Sequence, residues 1–131
     1  MPFWKKRKPK LEPPKIGPDF SEVDDPKKAQ KLADEGTLEK LFLMPLEFSG
    51  MDNPLNILYV PAGVGAIKNN IDTNVIGPLA QSGDISQYAA EPEYRGSSVI
   101  PMAIQLRAWE PKEFETEINI WGEALEREEQ A

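Results

Sequence analysis

Residues 98–121 constrain the fold more than any other stretch, because they specify two strands and how those strands pair. Ile100, Met102, Ile104 and Leu106 alternate with Pro101, Ala103, Gln105 and Arg107, the period-2 pattern of a strand with one face on a core. In residues 113–121, Phe114, Thr116, Ile118 and Ile120 share one face, while Glu115, Glu117 and Asn119 share the other. An antiparallel hairpin is predicted, and its register must keep both apolar sets on one side, since a slip of one residue would turn one set to water. Ile104 beside Ile118 meets this condition. It brings Leu106 beside Thr116, and Arg107 beside Glu115 on the outer face, with a loop of Glu110, Pro111 and Lys112 in which Pro111 fixes φ. Residues 85–94 read as a third strand, joined through a short loop of Arg95, Gly96 and Ser97 with Gly96 in its left-handed position. Pro92 places that strand at an edge or at a bulge, because it has no N–H for a ladder.

The chain upstream supplies the rest of the sheet and its cover. Asp25 as N-cap, Pro26 at the first helical position and Gly36 as stop predict a surface helix over 26–35. Residues 38–48, with Leu41, Phe42, Leu43, Met44 and Leu46, read as a largely buried strand that, because of Pro45, either ends near Met44 or exposes that side to solvent. A turn-rich loop follows, then a short strand over 56–60 pairing antiparallel with the first. Val64, Ile67, Ile71, Val75 and Leu79 recur at spacings of three and four, so residues 62–82 form an amphipathic helix, kinked or broken just before Pro78. The expected fold is α+β: a single, mainly antiparallel sheet of about five strands, in the order α-β-β-α-β-β-β, with the long helix across one face.

Length and composition bound the function. The chain has 131 residues, no Cys and no His, so it fits one domain without disulfides, thiolate or histidine catalysis, or the commonest transition-metal ligands. No apolar run approaches the roughly 20 residues that span a bilayer, and a cytoplasmic protein is expected. The net charge of −7 is uneven. Residues 1–20 are basic, and the remainder is strongly acidic, which argues against a nucleic-acid surface on the folded part and favours basic partners or plain solubility. We expect an extended, basic, proline-rich arm over 1–24, a single domain over 25–122 and an acidic tail over 123–131. Trp4, Lys5, Lys6, Arg7 and Lys8 are the arm's candidate contacts, to a protein or weakly to an anionic membrane surface.

Chemistry is sparse. The glycines of Pro61-Ala62-Gly63-Val64-Gly65 lie between a strand and a helix start, where phosphate loops occur. They lack the third glycine of a dinucleotide fingerprint and the Gly-Lys-Ser/Thr of a P-loop, so a tight turn is the better reading. Glu91 with Glu93, and Glu113 with Glu115 and Glu117, form carboxylate clusters at i, i+2 spacing. Such pairs serve glycosidases and divalent metals, but a solvated outer sheet face accounts for them more simply. Trp109 and Trp121 have the parity of the same polar face, where tryptophans act as interface anchors unless the arm or tail covers them.

No cofactor is indicated, and no run of residues carries a family motif. With its short basic-aromatic leader, absence of His and Cys, and compact acidic domain, the chain resembles in general make-up small bacterial accessory proteins, toxin-neutralising immunity proteins among them. The expected function is non-enzymatic: binding a basic protein through Arg107, Trp109, Glu115, Glu117 and Trp121. Two alternatives stand beside it. One is a structural subunit anchored by the arm, and the other a ligand-binding or carboxylate-based enzyme using Gly63, Gly65 or the glutamates.

Overall fold

The structure, a computed structural model, describes residues 19–130 except positions 49 and 52 and the side chains of residues 47 and 128–130. Most of the expected arm, with Trp4, Lys5, Lys6, Arg7 and Lys8, lies outside the described residues.

The first helix, α1 (Pro26–Asp34), begins where its cap predicts: Asp25 accepts the Lys27 N–H at 2.6 Å. Gly36, at φ +88°, turns the chain out of it. Strand β1 (Leu38–Phe42) then pairs antiparallel with β2 (Ile57–Pro61), Leu41 opposite Leu58. β1 ends before Pro45, and the Asn56 side chain ties the connecting loop by accepting the Met44 N–H and donating to the carbonyls of Met44 and Met51.

The long helix does not break at Pro78. α2 (Val64–Ile71) passes into a π-helical stretch (Asp72–Ile76) and then α3 (Gly77–Gln81). Pro78 has no N–H to return to the preceding turn, and the backbone absorbs this by widening, with the Gly77 N–H bonded to the Asp72 carbonyl. Ile67, expected on the apolar stripe, is 52% exposed, while Lys68, Asp72 and Ile76 are buried.

The second sheet contains β3 (Gln87–Glu93), β4 (Ala103–Trp109) and β5 (Phe114–Asn119), in that order and antiparallel throughout. The predicted register holds: Ile104 faces Ile118, Leu106 faces Thr116 and Arg107 faces Glu115. β3 is an edge strand, as Pro92 requires. Two expectations are corrected. The five strands form a two-stranded and a three-stranded sheet rather than one. The link from β3 to β4 is also no short loop, since Glu93 pairs with Ala103 and residues 94–102 run between. Pro101 cannot donate to a ladder there, and Ser98, Ile100, Pro101 and Met102 are all buried, so alternation fails before Ala103.

The sheets meet through side chains instead of edges. Leu38, Leu41, Leu58 and Val60 share one apolar cluster with Ile100, Met102, Ile104, Leu106, Ile118 and Ile120. Both presumed flanks join it. Phe20 is buried, and so is Ala124 of α4 (Glu123–Gln130), which the expected boundaries had placed in the arm and the tail.

Candidate functional site

The outer face of the three-stranded sheet follows from register. Opposite Arg107 lie Ala89 on β3 and Glu115 on β5; opposite Gln105 lie Glu91 and Glu117; opposite Ala103 lie Glu93 and Asn119. Trp109 stands one step beyond Arg107 on the same face. Four of the five residues expected to bind a partner, Arg107, Trp109, Glu115 and Glu117, are therefore brought together.

Trp121 is the exception, and the reason is local. The ladder closes at Ala103 and Asn119, after which the N–H groups of both Ile120 and Trp121 donate to the Met102 carbonyl, at 2.8 and 3.2 Å. Two residues against one is the signature of a bulge, and it shifts side-chain parity by one. Ile120 and Trp121 consequently both turn inward, Trp121 to full burial. Its indole N–H bonds the Ile100 carbonyl at 3.1 Å, and its ring meets Phe20 edge to face at 6.0 Å. Trp121 is a core residue covered by segments flanking the expected domain.

Trp109 remains half-exposed. The Arg107 guanidinium lies 4.6 Å from its ring centroid, and Arg107 Nε reaches Glu115 at 3.4 Å. Beside them is a shallow depression of about 120 Å³ lined by Ala89, Glu91, Gln105, Arg107, Trp109 and Glu115.

The opposite end of the face is closed by α4. Arg127 donates to both oxygens of Glu93, at 3.1 and 2.9 Å, and to Glu117 at 2.7 Å, while Gln105 donates to the same Glu117 oxygen at 3.1 Å. The hydrogen bond to Glu93 raises the Arg127 pKa further above its ordinary value. Ala103 has outward parity yet is fully buried in one cluster with Ala124, which places α4 over this end.

The glycine turn is already filled. Glu39 on β1 accepts the N–H groups of Gly63 and Gly65, at 3.1 and 2.8 Å, so the start of α2 holds the protein's own carboxylate. A Cβ on Gly65 would come within 2.7 Å of that oxygen, so a larger residue there would push the Glu39 carboxylate aside.

A second polar constellation escaped the sequence reading. Lys68 and Asp72 form an ion pair of 2.6 Å with side chains 3% and 6% exposed, and Tyr88 donates to the other Asp72 oxygen at 2.5 Å. Burial chiefly, and then Asp72, drive the Tyr88 phenol well above its ordinary pKa. Lys68 and Asp72 also line an open groove of about 330 Å³ with Lys40, Phe42, Pro45 and Leu46. The available signal was the i, i+4 spacing of Lys68, Asp72 and Ile76, which competed with the better-populated apolar stripe.

Among the described residues, no group of three or more Asp or Glu could hold a metal ion, and no helix is long and apolar enough to cross a membrane. Comparison with protein-family models, curated proteins and solved structures finds no match to this chain.

Proposed function

We propose that this protein is a non-enzymatic interaction module of the bacterial cytoplasm that binds a basic protein partner through the outer face of its three-stranded sheet. An immunity or inhibitor role is its most specific form. The observation that carries the reading is Trp109, held half-exposed by Arg107 at the rim of a depression between Glu91 and Glu115. A large aromatic beside carboxylates suits a partner that buries an apolar surface and brings positive charge. The outer face supports this with Glu91, Glu93, Glu115 and Glu117 against the guanidiniums of Arg107 and Arg127.

The test uses affinity-tagged full-length protein expressed in its source cell. Proteins captured by the parent are compared with those captured by Trp109→Ala and by Glu91→Lys with Glu115→Lys. Glu117 is left intact because it anchors Arg127. A basic protein lost from both variants, and re-formed as a complex from purified components, is the expected result. Charge reversal should slow association in a salt-dependent way, whereas Trp109→Ala should speed dissociation. Capture unaffected by either variant would remove this face from consideration.

A further inference from the structure

The acidic face already carries one bound arginine side chain, and its geometry recurs one step along the strands. Arg127 lies across the sheet on a diagonal from Glu93 of β3 to Glu117 of β5. In register, Glu93 faces Ala103 and Glu117 faces Gln105. Moving two residues along each edge strand gives Glu91, facing Gln105, and Glu115, facing Arg107. These carboxylates stand on the same diagonal with the same orientation to the central strand, because side chains two residues apart share a face.

We propose that this second diagonal is the recognition site for an arginine side chain of the partner, whose guanidinium bridges Glu91 and Glu115 beside the Trp109 ring as Arg127 bridges Glu93 and Glu117. The inference rests on the proposed function and gives the partner's contact a chemical identity. The central-strand residues under the second diagonal are Gln105 and Arg107 where the first has Ala103 and Gln105, and the small Ala89, opposite Arg107, leaves space beside Glu91. Gln105 donates to Glu117, and Arg107 lies against Trp109 with its Nε 3.4 Å from Glu115, so a partner guanidinium would share Glu115 with Arg107 in the depression of about 120 Å³ that these residues line with Glu91. Glu91 is exposed and makes no hydrogen bond or ion pair among the described residues, so its carboxylate is available to a partner. Arginine fits better than lysine: its planar fork presents parallel donors to two carboxylates and stacks on an indole, whereas an ammonium is a point charge on a flexible stem.

The test measures fluorescence anisotropy of labelled hexa-arginine and hexa-lysine peptides on the full-length protein. Both carry the same charge, so general attraction to an acidic surface affects them equally. The arginine peptide should bind about tenfold tighter, the advantage of bidentate charge-assisted hydrogen bonds. Glu91→Gln and Glu115→Gln should each remove most of that preference, and Glu35→Gln, at the end of α1, should leave it intact. Circular dichroism checks that each variant is folded. Equal binding of the two peptides, both lost in Glu91→Lys with Glu115→Lys, would overturn the arginine site while leaving the acidic-face reading standing. An arginine preference untouched by the glutamine variants would place binding elsewhere and overturn both. Failure of both peptides to bind would do the same.

Discussion

Asp72→Ala should be among the most destabilising single substitutions in this protein, and the expected size follows from what the carboxylate holds. One oxygen takes Lys68 Nζ at 2.6 Å, and the other takes the Tyr88 hydroxyl. The Tyr88 ring is braced edge to face by Phe48 at 6.3 Å, so the phenol cannot easily swing out to water. Removing the carboxylate takes the Asp72 partner from a lysine side chain only 3% exposed and the acceptor from the Tyr88 hydroxyl, and losing one side of a buried pair costs about 3 to 5 kcal/mol. A typical urea slope of about 1.5 kcal/mol per M converts that into a midpoint lowered by about 2 to 3 M. Urea titration followed by Trp121 fluorescence reads it directly, since that indole is buried in the folded state. A companion variant separates charge from packing. Lys68→Met, Asp72→Leu and Tyr88→Phe together remove both charges and the hydroxyl that Asp72 accepts from, at similar volume, and should lie within about 1 kcal/mol of the parent or above it, because paired burial of charges returns little net stability. An Asp72→Ala midpoint within about 0.5 M of the parent would refute the reasoning, by showing that the Lys68 ammonium reaches water without unfolding the helix.

Ile104→Ala, at the fully buried centre of β4, should lower stability by about 2 to 5 kcal/mol in the same titration. Trp109→Ala, on the outer face, should change it by less than about 1 kcal/mol, which qualifies it as a binding probe. Alkaline pH should also destabilise the fold. Tyr88 holds its proton more tightly folded than unfolded, so its contribution is complete below the ordinary tyrosine range and is lost as pH rises through about 10 towards the folded value. Melting temperatures across that range should fall, and Tyr88→Phe should flatten the slope, leaving the smaller part that burial of Tyr94 adds. Arg127→Ala should cost under about 1 kcal/mol, since its side chain is 40% exposed, yet hydrogen exchange should show α4 opening more often.

The parts of the fold legible in the sequence are those where short-range chemistry is unambiguous. Parity put Ile104 and Ile118 on one face, because a slip of one residue would expose one apolar set, and the loop of Glu110, Pro111 and Lys112 fits their pairing among the registers that parity allows. Asp25, Pro26 and Gly36 bounded α1 for reasons local to four or five bonds. The assembly of strands into two sheets was not legible, because apolar content shows that a strand has a buried face without showing whether its neighbour lies across a ladder or across the core. The rotation of the long helix was equally hidden. Ile67 fits the 3.6-residue stripe, yet it is exposed while Lys68, Asp72 and Ile76 are buried, and the alternation of apolar residues carries no sign of that rotation.

The candidate face divides along the same line. Arg107, Glu115 and Glu117 fall together because they belong to the hairpin whose pairing the alternation dictates. Trp121 was misplaced because parity was carried two residues past the last ladder pair, into a bulge that alternation cannot show. Its burial changes the character of the face. With one tryptophan at the rim and the other in the core, apolar contact is concentrated at Trp109, and α4 uses Arg127 to occupy the far carboxylates. Arg127, in a tail that reads as a plain acidic run, thus decides how much of the acidic surface is open. What it leaves exposed is the half in which carboxylates and an aromatic ring lie side by side, the arrangement that discriminates a guanidinium from an ammonium.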